Sequence, residues 1–147
     1  MTLIPHRVAN GVAALAPVLL AACAQPPYVT VPAGTTPLAH DEVMTLISSA
    51  TVRRYFPESE ANMTTKEDGS VEYFYKPGKA HFAHEGKILH AQGTWTVGQD
   101  GRFCVSLTWQ STASTHWCRF IFQTGTGYGA SDNTAATNLE NWGISKK

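Results

Sequence analysis

The chain has 147 residues, with 11 basic and 11 acidic side chains, six histidines and three cysteines. That balance excludes the basic surplus of a nucleic-acid-binding domain, and the length allows one domain with a modest core. Beyond residue 23 no apolar run is long enough to cross a bilayer as a helix.

The first element is a processing segment. His6 and Arg7 make a short positive start, and Val8 to Leu20 is mostly Ala, Val and Leu. Leu20-Ala21-Ala22-Cys23 follows and resembles the bacterial lipobox. The resemblance implies removal of residues 1–22 and a diacylglyceryl thioether on Cys23, with N-acylation after cleavage. Such a lipid is a stable membrane anchor, because each buried CH₂ contributes about 0.8 kcal/mol. Ala24, in place of an Asp, favours sorting to the outer membrane. The mature chain then has 125 residues with ten basic and eleven acidic groups.

Residues 23–37 hold four prolines and read as an extended tether with a reach of about 40 Å. Leu38 to Ala50 is the one good helix, with Asp41 as N-cap, Leu38 as staple and an apolar stripe of Val43, Met44, Ile47 and Ala50. Thr51 to Tyr55 reads as the first strand, stopped by Pro57. Glu58 to Gly69 is polar and ends in an Asp68-Gly69 turn. Val71 to Lys76 is an aromatic strand, Lys79 to His84 the next, and Lys87 to Val97 another, bent at Gly93.

The strongest local pattern runs from Gly93 to Tyr128. Asp100-Gly101 supplies the positive backbone angles of a hairpin between Trp95/Val97 and the strand Arg102–Trp109. On that strand Phe103, Val105, Leu107 and Trp109 share one face, and Cys104, Ser106 and Thr108 the other. His116 to Gln123 is apolar on both parities, as for a strand covered on both sides. Pairing about Ser111 sets Cys104 against Cys118 and His116 against Ser106. A disulfide fits that register, with two free thiols as the alternative; the oxidising compartment implied by the lipobox favours the bond. Residues 131–147 are Asn- and Thr-rich and read as a loose tail pinned by Trp142. The expected fold is mainly β: an antiparallel meander or small barrel of about six or seven short strands with one N-terminal helix, spanning residues 38–130.

Asp-Gly before an aromatic strand, then GTWTVGQDGRFC, then WCRFIFQTGTGY, resembles the DUF995 family of small secreted bacterial proteins of unknown function. The residues that carry it are Gly93, Trp95, Asp100, Gly101, Cys104, Cys118, Gly125 and Tyr128. The resemblance implies the fold and the cysteine pair, and it transfers no catalytic residue.

Chemistry-bearing clusters are few. His81, His84, Glu85 and His90 are close in sequence and are candidate ligands for zinc or copper. On a straight strand, however, His81 and His84 point to opposite faces, and the competing reading is surface histidines beside a hairpin. Glu58, Glu60, Glu67 and Asp68 lie in a polar stretch, where solvation is the default. No nucleophile elbow, phosphate loop or dinucleotide fingerprint occurs. Tyr73, Tyr75 and Trp109 are the aromatics expected to rim a binding face. The expected function is therefore a non-enzymatic, lipid-anchored envelope protein with a binding or structural role and an envelope protein as partner. The alternatives are an inhibitor of a secreted hydrolase such as lysozyme and a histidine-based metal module. The covalent lipid is the only bound group expected under the main reading.

Overall fold

The computed structural model describes residues 25–78, 87–110 and 113–146. It contains nine strands and one helix: β1 (Tyr28–Thr30), α1 (His40–Ile47), β2 (Ala50–Phe56), β3 (Ser59–Thr65), β4 (Ser70–Lys76), β5 (Leu89–Val97), β6 (Phe103–Trp109), β7 (Ser114–Gln123), β8 (Tyr128–Ser131) and β9 (Asn138–Lys146). From β2 to β9 each strand pairs antiparallel with the next, and β9 returns to β2, so eight strands close a barrel. Closure removes the unpaired edges that an open meander would expose.

Alternation fills the interior. Val52, Met63, Val71, Trp95, Phe103, Val105, Ile121 and Trp142 are buried in one cluster. Strand β3 was hidden in the sequence because its inward residues include Ala61, Met63 and Thr65, a weakly apolar set. The polar reading of residues 58–69 is corrected accordingly. Gly93 sits within β5, where a Cβ would lie 1.7 Å from the carbonyl oxygen of Ser106. It is there for close strand approach.

One end of the barrel is plugged. Val43 and Ile47 of α1 are fully buried against the core. The helix is shorter than its apolar stripe predicts, and its N-cap is Ala39, not Asp41. Glu42 supplies the missing cap acceptor, taking the Ala39 N–H at 2.7 Å. Thr65 ties the other end of α1 down, its hydroxyl donating to the Ile47 carbonyl. Gly101, at φ 82°, packs its Cα against the carbonyl of Leu38, where a Cβ would come within 2.6 Å. The Asp-Gly turn therefore closes the hairpin and seats the helix as well.

Two segments read as loose are structural. Tyr28–Thr30 pairs with Glu140–Asn138, and Val31 packs with Phe122 and Leu139 on the outer wall. The stretch expected to be tether is laid on the barrel from Pro26 onward, where Asn141 donates to the carbonyls of Pro26 and Pro27. The stretch expected to be tail supplies β9, with Leu139 fully buried and Trp142 1% exposed. The outer-wall cluster also explains the apolar residues on both parities of β7: Ile121 faces in and Phe122 faces out, and both are buried.

Cys104 and Cys118 face each other on the outer wall and are disulfide-bonded, with Cα atoms 4.0 Å apart. The bond closes a short loop, which stabilises a fold by about 3 kcal/mol in the chain-entropy picture. Reduction of the purified domain is expected to lower its Tm by roughly 10 °C. A melting curve in excess phosphine reductant checks this; an unchanged Tm would show that the pair contributes nothing.

Candidate functional site

The end opposite α1 is open. There, the ends of β2, β3, β4, β6 and β7 surround a cavity of about 470 Å³. Its rim is Phe56, Ser59, Tyr75, Trp109 and Thr115, and its floor is Arg54, Tyr73, Leu107 and Trp117. The volume and the mainly aromatic lining are those of a small-molecule site.

The walls are fixed by aromatic packing and a few hydrogen bonds. Tyr73 meets Trp109 edge-on at 5.8 Å, and Phe56 meets Tyr75 edge-on at 6.2 Å. The Trp109 indole N–H donates to Thr115 Oγ1 at 3.1 Å, and the Tyr75 hydroxyl donates to Ser59 Oγ at 3.4 Å. Tyr73, Tyr75 and Trp109, named from the sequence as a binding face, are thus brought together by the alternation of β4 and β6. They line an internal mouth, with Tyr73 buried at 5% exposure.

Arg54 lies at the floor, 6% exposed. It follows Ala50 and Val52 on the inward parity of β2, so strand periodicity drives a guanidinium into the barrel. Its guanidinium carbon lies 4.4 Å from the Trp117 ring centre and 5.0 Å from that of Phe56. Its Nη2 donates to Glu140 Oε2 at 2.8 Å and its Nη1 to the Tyr73 hydroxyl at 3.3 Å. Arg119 donates its Nε–H to the other oxygen of Glu140 at 3.1 Å, and the Trp142 indole donates to Oε2 at 3.1 Å. Burial pushes the Glu140 carboxyl up, but Arg54, Trp142 and Arg119 together outweigh it and hold the group below the usual carboxylate range. Burial raises the Tyr73 phenol, with Arg54 opposing, so the hydroxyl keeps its proton at neutral pH.

One nitrogen of this network has no partner. The buried Nε–H of Arg54 has no hydrogen-bond partner. An unmatched buried donor costs roughly 1–3 kcal/mol, more on a charged group. Arg54, Arg119 and Glu140 escaped the sequence reading; the signal was a charged residue on an otherwise apolar parity, at Val52-Arg53-Arg54 and at Trp117-Cys118-Arg119.

The proposed metal ligands are not assembled among the described residues. His81 and His84 lie outside them. His90 stands on the outer wall of β5, stacked on Phe74 at 4.5 Å, with Gln110 3.4 Å from its Nδ1. One group of metal-ligand type does form among the described residues: Cys104, His116 and Cys118, within 4.8 Å of one another. With the disulfide made, neither sulfur is a thiolate, so the set is not a ligand set as it stands. His116 is held by Ser106, its cross-strand partner, at 2.9 Å. Glu60 pairs across strands with Tyr55 and Lys76 on the outer parity of β3, away from the cavity.

An antiparallel eight-stranded barrel, plugged by a helix at one end and open over an aromatic cavity at the other, defines a calyx-type β-barrel. The chain belongs to the DUF995 family, proteins of unknown function, whose profile matches residues 13–129. The match ends before β9, the strand that closes the ring. No curated protein and no solved structure matches the chain.

Proposed function

We propose that this protein is a non-enzymatic binding protein of the bacterial envelope, anchored by a lipid on Cys23, which holds a small apolar-bodied molecule in the mouth of its barrel. The observation that carries the reading is the aromatic cavity with a buried, incompletely partnered arginine at its floor. Closed walls and a plugged far end give a rigid, pre-formed site, which lowers the cost of ordering on binding. Among the described residues no nucleophile, base and orienting acid converge on it, and the carboxylate at its floor, Glu140, is engaged by two arginines.

The anchor position suits this role. Gln25 and Pro27 line an outer groove together with Phe56, Pro57, Glu58 and Ser59 at the mouth's rim. Only Ala24 lies between Cys23 and Gln25, so the two are at most about 7 Å apart along the chain. A lipid on Cys23 would therefore hold the mouth close to the bilayer instead of lifting the domain far above it. Among the described residues no helix is long and apolar enough to cross a membrane. Cys23→Ala is expected to move the protein from the membrane pellet to the soluble envelope fraction; continued sedimentation with membranes would refute the anchor.

Occupancy is testable with a neutral apolar fluorophore, N-phenyl-1-naphthylamine. The expected result is saturable enhancement at one probe per barrel, weakened about tenfold or more in Trp109→Ala, since that change removes one aromatic wall. A fold-competent domain that gives no saturable signal would end the proposal.

A further inference from the structure

We infer that the ligand carries a carboxylate, which Arg54 and Tyr73 receive at the floor of the cavity while the apolar body lies between Tyr75 and Trp109. The inference rests on the binding role proposed above and specifies its ligand class.

Charge and geometry point the same way. Arg54 is the only charged residue among the described residues that line the cavity. Behind it stand one further guanidinium, Arg119, and one carboxylate, Glu140, so the floor keeps a net positive charge after Glu140 is shared between Arg54 and Arg119. Three rings crowd the Arg54 guanidinium, Trp117 at 4.4 Å, Phe56 at 5.0 Å and Trp142 at 5.5 Å. Glu140 takes one hydrogen of Nη2 and Tyr73 one of Nη1, so the guanidinium has more donors than these two partners use.

The partner these donors favour is a hydrogen-bond acceptor, preferably anionic. A planar carboxylate meets that description. Tyr73 adds to it: its oxygen accepts from Nη1 of Arg54, which leaves the phenol proton, beside the second Nη1 hydrogen, for an acceptor in the cavity. A cation is disfavoured at the same place, and a neutral alcohol forgoes the charge-assisted bond. The cavity suits one drug-sized molecule and not a two-chain phospholipid. A free single-chain or aryl carboxylic acid is therefore the class to which the site is matched.

The test uses calorimetric titration of the intact mature domain with octanoate, 1-octanol and octylammonium, which share a chain and differ in the head group. Octanoate is expected to bind at least about tenfold tighter than octanol, and octylammonium weakest. Equal binding of octanoate and octanol would overturn the carboxylate assignment while leaving the apolar cavity as a binding site. Tightest binding of octylammonium would also overturn the assignment. Failure of all three to bind would sink the binding role itself. Arg54→Met is expected to erase the octanoate preference. Should that variant fail to fold, the Nη1 protons of Arg54 in the wild-type domain give a separate answer: octanoate moves them downfield and octanol does not. Nη1 protons unmoved at saturating octanoate would contradict the assigned contact.

Discussion

A chain ending at Ser131 is expected not to fold. The deleted stretch contains β9, which pairs with β2 through residues 142–146 and with β8 through residues 140–142. Without it the barrel has two open edges and loses Leu139 and Trp142 from its two apolar clusters. Trp142 alone packs edge-on against Phe103 at 6.2 Å and Trp117 at 6.1 Å. Removing one such buried aromatic side chain costs about 3–5 kcal/mol, a large part of the 5–15 kcal/mol that holds a typical domain together. The truncated chain should therefore give no cooperative thermal transition by circular dichroism, and Trp142→Ala should fall well below wild type. A truncated chain melting cooperatively near the wild-type temperature would show that residues 132–147 are dispensable, contrary to the closed barrel.

Glu140→Gln is expected to destabilise the domain by about 3 kcal/mol or more, because it leaves two guanidinium groups facing each other without their shared counter-charge. The carboxylate accepts from Arg54, Arg119 and the Trp142 indole, and its side chain is 20% exposed. The same group sets a pH dependence. Its folded pKa is depressed, so the unfolded chain holds the proton more tightly. Its contribution is fully present above the unfolded value, near pH 4.3, and is lost as pH falls through the lower folded value. Urea unfolding at neutral pH and at pH 3 should show the wild type losing more stability on acidification than Glu140→Gln. The exposed Asp68 and Asp100 are also held low, by hydrogen bonds from Ser70 and Arg102, and act equally in both proteins. Identical acid sensitivity of the two would mean that Glu140 is not the coupled group.

The parts of this fold that were legible in the sequence are those where alternation is strong and turns are chemically marked. Phe103, Val105 and Leu107 against Cys104, Ser106 and Thr108 gave the faces of β6, and Asp100-Gly101 gave the hairpin before it. The register of Cys104 with Cys118 and Ser106 with His116 is that of a hairpin centred on Ser111, the midpoint of the two cysteines and a position inside the predicted loop. Illegible were the strands whose inward residues are small or polar. β3 shows Ala61 and Thr65 to the core, and β9 shows Glu140. Strand β1 was masked by prolines, which suit an edge segment as well as a tether. The cavity was half legible. Its aromatic walls on β4 and β6 stood out, but the arginine floor joins β2, β7 and β9, strands distant in sequence that only barrel closure brings together.

The binding site itself is tested most directly by the indole N–H spectrum of the four tryptophans during titration with N-phenyl-1-naphthylamine. Trp109 and Trp117 line the cavity. Trp95 lies toward the plugged end, its indole donating to the Lys66 carbonyl at 2.9 Å. Shifts of Trp109 and Trp117 that saturate together while Trp95 stays in place are the predicted result. Saturation with Trp109 and Trp117 unmoved would place the ligand elsewhere and contradict the mouth of the barrel as the site.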